Sequence, residues 1–129
     1  MKLSPVNLVQ VSISHSAHLV LIILGQFKKY VNNDGQIDPS DDTERLGNTL
    51  SMADALVHFS YSHSNHRMLL VDVQGVECQL TDPEISTLEQ NDFCIGNCGK
   101  EAFQLFFFQH KCNEFCEALL VGKVDAAQF

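Results

Sequence analysis

The sequence predicts an α+β domain with a single core. Two short apolar runs rich in branched residues, 19–24 and 68–74, predict buried strands. Apolar residues at helical spacing predict helices over 51–59 and 100–109. The 129 residues are 45% hydrophobic and 19% charged, which suits one folded domain and argues against a disordered chain.

Turn signals and polar stretches separate these elements. Residues 32–35 form a strong turn signal, and 81–83 form a second one because Pro83 favours an extended backbone at Asp82. Ser51 and Asp54 resemble a capping box at the start of the first helix. We expect a surface loop over the acidic residues 38–47, a polar turn at 61–67 and irregular structure over 84–95.

Charge and cysteine content exclude several classes of protein. The net charge is -8 with a pI near 5.0, which gives a nucleic-acid surface no electrostatic support. The five cysteines are irregularly spaced and odd in number, which favours metal ligands or free thiols in a reducing compartment. No apolar run reaches the length of a membrane span, and the N-terminal residues lack the continuous apolar stretch of a signal peptide. We therefore expect a cytoplasmic protein with no membrane span and no nucleic-acid partner.

A group of zinc-type ligands lies near the end of the chain. On a helix, Cys112 and Cys116 would point to one face, and His110 would add a nitrogen from the preceding turn. Structural zinc takes four such ligands, and His58 is the best candidate for the fourth. The alternative is a pair of buried cysteines that act as small hydrophobic residues beside an ordinary histidine. The spacing is not a common zinc spacing, so it leaves both interpretations open.

Carboxylate and amide side chains cluster after the second predicted strand. Asp72 and Gln74 are two residues apart, so their side chains leave the same face, and Asp82 follows after a short loop. Such an all-oxygen set suits Mg²⁺ held together with substrate phosphates. The alternatives are an acid that caps local amides at Asp72 and ordinary turn chemistry at Asp82.

Two further features suit an anionic ligand. The loop Gly96-Asn97-Cys98-Gly99 precedes a predicted helix and could present backbone amides to an anion, although a simple helix-entry turn has the same pattern. Lys29 lies beside a predicted strand, where it meets either a phosphate or solvent.

Six ordered motifs resemble those of the alpha-type protein kinases. That family includes the myosin heavy chain kinases, the elongation-factor-two kinase and the channel-kinases. The resemblance covers residues 25 to 120. The motifs are FKKYVNNDG at 27–35, VHFSY at 57–61, VDVQG at 71–75, LTDP at 80–83, GNCG at 96–99 and HKCNEFC at 110–116.

The resemblance implies a two-lobed kinase fold of which this chain carries mainly the C-terminal lobe, stapled by zinc. We expect a poorly structured segment at 1–16, a partial alpha-type kinase domain at 17–120 and a frayed tail at 121–129. Family members carry a lysine-bearing N-terminal lobe and a Glu-Pro hinge, whereas Val20 and Leu21 occupy the hinge positions here. The N-terminal lobe is therefore expected to be largely missing.

The resemblance also assigns roles to individual residues. Asp72 matches the catalytic aspartate of the family's D-x-Q-G motif, and Gln74 and Asp82 match residues at the magnesium ion. The nucleotide and substrate loop residues are matched by Lys29, Asn33, Gly96, Asn97 and Gly99. The structural zinc ligands are matched by His58, His110, Cys112 and Cys116.

The implied function is ATP-dependent phosphorylation of Ser and Thr residues in protein substrates, with ATP, magnesium and a structural zinc as cofactors. Because the nucleotide-binding lobe is largely missing, the 129 residues alone are expected to turn over little or no ATP. The alternative function is a catalytically inactive, zinc-stapled, pseudokinase-like module that binds a partner.

Overall fold

The computed structural model describes residues 6–13, 16–23, 25–38, 43–76, 79–89 and 97–129. Helices and strands occur together, which confirms the α+β class. The elements in chain order are β1 (Val6–Ile13), β2 (Ser16–Ile23), β3 (Lys28–Val31), α1 (Thr43–His63), β4 (Met68–Val71), β5 (Val73–Val76), β6 (Gln79–Thr81), β7 (Glu84–Thr87), α2 (Lys100–Gln109), α3 (Glu114–Ala118) and a 3₁₀ turn (Ala126–Gln128).

The strands form three antiparallel groups. β1 pairs with β2 in a hairpin, β3-β5-β6 form a three-stranded sheet, and β4 pairs with β7. β2 confirms the strand predicted at 19–24. The poorly structured segment predicted at 1–16 is wrong where β1 lies, because β1 obtains its hydrogen bonds by pairing with β2 and needs no strong period of its own. Irregular structure was predicted over 84–95, but residues 84–87 form β7, because the distant β4 provides its ladder partner. Residues 90–95 of that stretch lie outside the described residues.

The strand predicted at 68–74 is divided at Asp72. This residue has a left-handed backbone, with φ of 53°, a conformation that aspartate tolerates better than most side chains. Before it, β4 pairs with β7, and after it, β5 pairs with β3 and β6. Asp82 has φ of 47° at the corresponding point of the returning chain, between β6 and β7. The β5–β6 hairpin is therefore flanked by Asp72 and Asp82 at the junction of the two sheets.

Helix α1 begins earlier and ends later than predicted. It starts at Thr43 and continues to His63, so the capping box predicted at Ser51 is wrong, as are the loop over 43–47 and the turn over 61–63. Residues 39–42 of the predicted loop lie outside the described residues. Gly47 lowers the local helix propensity, so the sequence pattern does not predict the first turns of this helix. Packing supplies the missing stability, because the later turns of the helix lie against β3 and β4.

The core lies between the two longer helices and the central strands. α1 contributes Ala53, Val57 and Tyr61, which are four residues apart and so share one face. α2 has the predicted bounds, and four of its side chains are buried in this core. The core consists of Tyr30, Val31, Ala53, Val57, Tyr61, Leu69, Val71, Val73, Ala102, Phe103, Phe106 and Phe107. Within the described ranges, every helix is too short or too polar to cross a bilayer.

The C-terminal residues are ordered against this core, which corrects the frayed tail predicted at 121–129. The ring of Phe129 stacks on Phe107 at a centroid distance of 5.7 Å and also contacts Phe103 and Tyr61. The Gln128 amide donates a hydrogen bond to the Tyr61 hydroxyl at 3.3 Å. Phe129 belongs to no periodic apolar pattern in the sequence. The contacts of its ring come from residues that are distant in the chain.

Removing that ring should destabilise the domain. Phe129→Ala deletes three aromatic contacts around a partly buried side chain, so we expect the free energy of unfolding to fall by about 1–3 kcal/mol. Phe108→Ala is the matched control: Phe108 is 81% exposed, and its loss should change stability by less than about 0.5 kcal/mol. Urea unfolding followed by circular dichroism measures both. Equal effects of the two substitutions would contradict an anchoring role for the tail.

Candidate functional site

Two histidines and two cysteines converge where α1, α2 and α3 meet. His58 Nδ1 lies 3.2 Å from His110 Nε2 and 3.6 Å from Cys112 Sγ. Cys116 Sγ lies 3.5 Å from His110 Nε2, and one ligand atom from each of the four residues lies within 4.8 Å of all the others. The structure thus brings together all four residues predicted as zinc ligands, including His58 from the middle of the chain.

These distances fit a tetrahedral ion. With Zn–N bonds of about 2.0–2.1 Å and Zn–S bonds of about 2.3 Å, two nitrogens are held about 3.3 Å apart and nitrogen and sulfur about 3.6 Å apart. The observed separations of 3.2, 3.5 and 3.6 Å agree with that geometry. Two imidazole nitrogens and two thiol sulfurs are also the donor set that zinc prefers. The four side chains therefore fit a closed structural zinc site.

Burial sets the protonation states of two of these groups. It lowers the pKa of His58, and the neighbouring His110 lowers it further, against a smaller opposing effect of the Gly122 backbone. The neutral imidazole, which is the form that binds metal, is therefore favoured. Burial raises the pKa of the Cys116 thiol, so its thiolate needs a nearby cation to form.

Local structure positions the ligands at the ends of two helices. His110 caps the C-terminus of α2, where its backbone N–H donates to the Phe106 carbonyl at 2.8 Å and its ring stacks on the Phe106 ring. Cys112 lies in the link before α3 and Cys116 lies within α3. The prediction that both cysteines share one helix face is therefore wrong, and the link of residues 110–113 between α2 and α3 brings the sulfurs together instead.

Asn113 lies in that link and caps α3, a role that the sequence analysis did not predict. Its side-chain oxygen accepts hydrogen bonds from the backbone N–H groups of Phe115 and Cys116, at 3.0 and 3.2 Å, and so caps the N-terminus of α3. Its amide nitrogen donates to the Ser51 carbonyl on α1 at 2.9 Å. An asparagine directly before a short helix is a capping signal that would have identified it.

Loss of Asn113 should weaken both the fold and the metal site. Asn113→Ala removes the cap and the tie to α1, so we expect a loss of about 1–3 kcal/mol of stability and weaker zinc binding. Asn113→Asp retains the capping oxygen but not the amide donor, and it should lie between alanine and wild type. Chemical denaturation and zinc titration measure the two effects. An alanine variant with wild-type values in both would rule out this role.

A second polar group forms at the sheet junction. Lys29 lies opposite Gln74 in the β3–β5 ladder, and the Lys29 ammonium is 2.5 Å from Asp72 Oδ1. The Gln74 amide donates to Asp72 Oδ2 at 3.4 Å. The two carboxylate oxygens thus contact two different side chains, and the Asp72 side chain is 13% exposed. The sequence left open whether Lys29 contacts a phosphate or solvent. In the structure its ammonium is ion-paired with Asp72.

The predicted turn at 32–35 is tied to the same group. The Asn32 carbonyl accepts hydrogen bonds from the backbone N–H groups of Gly35, at 3.1 Å, and Asp72, at 3.3 Å. Gly35 has φ of 89° and packs on the Ala102 carbonyl so closely that a Cβ would clash there. Asn33 is exposed at the tip of this turn. The turn therefore joins Asp72 to the N-terminus of α2.

Asp82 is placed near Asp72 by strand register. The β5–β6 ladder ends at the Gln74–Thr81 pair, and the β4–β7 ladder begins at Val71–Glu84. Between those two pairs lie Asp72 on one strand and Asp82 on the other. Strand register therefore places Asp72, Gln74 and Asp82 at the same junction between the two sheets, while their shared role at a metal ion stays a prediction.

The loop before α2 is built differently from the expected anion cradle. The Asn97 side-chain oxygen accepts hydrogen bonds from Ser86 Oγ, Thr87 N and Gly99 N at 3.0–3.1 Å, so Asn97 ties the loop to β7. Gly99, with φ of 64°, precedes the first turn of α2, and Gly96 lies outside the described residues.

Charge around this loop is negative. Burial raises the pKa of Cys98, and three nearby acids raise it further: Asp34, Glu84 and Glu101. A negative potential at the start of α2 disfavours an anion bound there by the helix N-terminus alone.

Comparison with known proteins decides the family. Residues 12–116 match the sequence profile of the alpha-kinase family. The chain belongs to the alpha-kinase family. Among curated alpha-kinases it is similar to myosin heavy chain kinase B of Dictyostelium discoideum, with 42% identity over 101 residues, 78% of this chain and 13% of that protein. Human eukaryotic elongation factor 2 kinase is 38% identical over 108 residues, 84% of this chain and 14% of that protein.

Solved alpha-kinase domains share the fold. The apoenzyme alpha-kinase domain of myosin-II heavy chain kinase A matches with a TM-score of 0.67 and 34% identity, over 81% of this chain and 40% of that domain. The same kinase domain in complex with ADP matches with a TM-score of 0.66 and 36% identity, over 78% of this chain and 38% of that domain. The chain therefore spans about one seventh of its curated relatives and about two fifths of the solved domains. These matches confirm the family predicted from the six motifs.

Proposed function

We propose that this chain is the C-terminal part of the catalytic domain of an alpha-type serine/threonine protein kinase. The observation that carries the proposal is the Asp72 carboxylate, fixed between Lys29 and Gln74 at the junction of two sheets. Its left-handed backbone is the kind of conformation that functional sites retain. Support comes from the related kinase domain, which has been solved with ADP and with AMPPCP bound.

In phosphoryl transfer the protein mainly positions the reacting groups and compensates the negative charge of the phosphates. In our proposal Asp72 orients the hydroxyl of a substrate Ser or Thr and accepts its proton. Contacts to both carboxylate oxygens restrict its rotation, so the acceptor is held in place before substrate arrives. Lys29 compensates the negative charge of Asp72 through their ion pair. In our proposal Lys29 also contacts a phosphate of the nucleotide.

Magnesium fits the same junction. The Gln74 amide nitrogen is used by Asp72, which leaves the Gln74 side-chain oxygen and the Asp82 carboxylate as oxygen donors. Oxygen donors of this kind are the ligands that Mg²⁺ prefers, alongside nucleotide phosphates. When bound, the ion would neutralise charge on the ATP phosphates. Asn33, Gly96, Asn97 and Gly99 stay assigned to the nucleotide and substrate loops by resemblance.

Zinc has a structural role in this proposal. A single ion held by His58, His110, Cys112 and Cys116 would join α1 to the α2–α3 turn. Its binding energy would add directly to folding stability, because the unfolded chain has no preformed site. Thiolate ligands of this kind suit a reducing compartment, so we also propose a cytoplasmic location.

The 129 residues alone should show little or no kinase activity. They correspond to 40% of a solved alpha-kinase domain, so we expect nucleotide-binding groups of the family to come from other sequence. The measurement is transfer of labelled phosphate from Mg·ATP to a Ser/Thr-containing protein by the purified chain. Robust transfer that disappears in Asp72→Ala would contradict this expectation while supporting the assignment of Asp72.

A chimera tests the proposed function itself. Residues 12–116 would replace the matching part of the alpha-kinase domain of myosin heavy chain kinase A, and the product would be assayed with Mg·ATP and myosin heavy chain. We expect phosphate on Ser or Thr, identified by phosphoamino-acid analysis. A chimera that folds and binds nucleotide but transfers no phosphate would favour the alternative, a zinc-stapled, pseudokinase-like binding module.

A further inference from the structure

We propose that Asp54 is a positioning residue of the metal centre, whose carboxylate orients His110 from outside the ligand set. The inference rests on the zinc site proposed above and adds a fifth residue to it. Metal-binding histidines almost always donate their second ring nitrogen to a carboxylate or carbonyl, which fixes the ring and strengthens the ligand. Asp54 supplies that carboxylate here.

The orientation of His110 points to this role. Its Nε2 faces the cluster, 3.2 Å from His58 Nδ1 and 3.5 Å from Cys116 Sγ. The opposite ring nitrogen, Nδ1, lies 3.8 Å from Asp54 Oδ2. The two nitrogens of one imidazole thus face the metal ligands on one side and a carboxylate on the other.

His110 Nδ1 is a buried atom with no hydrogen-bond partner among the residues that the structure describes, and so is Asp54 Oδ1. The oxygen of Asp54 that lies nearest to His110 Nδ1 is the other one, Oδ2. A buried polar atom left unpaired costs about 1–3 kcal/mol, which favours an arrangement in which the two groups satisfy each other. At 3.8 Å the two atoms are not hydrogen-bonded, so the proposal requires a side-chain rotation that shortens their separation to about 2.7–3.2 Å.

The position of Asp54 on helix α1 also supports a role in orienting His110. It lies four residues before His58, so the two side chains are one turn apart on the same face of α1. Helix α1 would then provide one zinc ligand directly and control the orientation of a second. The Asp54 side chain is 15% exposed, unlike that of a solvated surface acid.

The test is the affinity of the full 129-residue chain for zinc. Competition with a chromophoric chelator would compare wild type with Asp54→Asn and Asp54→Ala. We expect affinity to fall by about 10–100-fold in the alanine variant and by less in asparagine, which retains one acceptor oxygen. Co²⁺ would be bound in place of zinc, and its visible absorption should change in the variants, because the orientation of the His110 ring at the metal changes.

Controls separate positioning from general effects of charge and stability. Glu117→Gln removes one charge from the exposed face of α3, next to Cys116, and should leave zinc affinity within about twofold. With zinc at a concentration that saturates both proteins, the circular dichroism spectrum of Asp54→Asn should match that of wild type, because asparagine keeps the size of the aspartate. Wild-type affinity and cobalt spectrum in both Asp54 variants, or an equal loss in Glu117→Gln, would overturn the inference while leaving the zinc site intact. A wild-type chain that binds neither zinc nor cobalt would overturn the zinc site and this inference together, but not the assignment of Asp72.

Discussion

Replacing Cys116 with serine is expected to abolish tight zinc binding and to unfold most of the chain at room temperature. The substitution keeps the size of a side chain that is 1% exposed but replaces a soft thiolate with a poor zinc ligand. In zinc-finger peptides, structural zinc contributes about 10–16 kcal/mol, comparable to the whole stability of about 5–15 kcal/mol of a typical domain. Chelation of zinc from the wild-type protein should have the same effect.

The matched control is Cys98→Ser. Cys98 is a partly buried cysteine outside the metal cluster, so the same chemical change should leave the zinc content at one equivalent per chain. Metal analysis of freshly purified protein and circular dichroism with and without chelator provide the measurements. A wild-type chain with no zinc, or one whose helicity and unfolding midpoint are unaffected by chelation, would contradict the structural role of the metal.

Changing Asp72 to asparagine should lower kcat of the chimeric kinase by about 10²–10⁴-fold, the usual contribution of a positioned general base. Asparagine has nearly the same shape, tolerates a left-handed backbone and can still contact Lys29 and Gln74, so the fold should be retained. Nucleotide affinity should change much less than kcat, because the lost group acts on the substrate hydroxyl.

Glu114→Gln serves as the control for this experiment. It removes one carboxylate from the exposed first turn of α3, away from the sheet junction, and kcat should stay within about twofold. Steady-state kinetics with labelled ATP would give both values. An Asp72→Asn chimera with unchanged kcat would remove Asp72 from the catalytic step and leave the family assignment untouched.

Much of the candidate site could be predicted from the sequence, because its residues are recognised by their chemical type and spacing and not by their conformation. His110, Cys112 and Cys116 are close in the chain and chemically suited to zinc, so only the fourth ligand needed a search. Asp72 and Gln74 could be predicted as neighbours because they are two residues apart, but the left-handed backbone at Asp72 interrupts the strand alternation on which that prediction relied, and their contact is a side-chain hydrogen bond. Asp54 and Asn113 were not identified as site residues, because an aspartate inside a helix and an asparagine in a link acquire a role only when a partner from another element is present.

The sequence by itself determined the α+β class, the family, helix α2 and which two histidines and two cysteines form the cluster, because each depends on local periodicity or on residue types in a fixed order. Tertiary structure alone decided the long helix α1, the division of the strand at Asp72 and the docking of Phe129. The reason is the same in each case: hydrogen-bond and packing partners distant in sequence supply a free energy that overrides weak local preference.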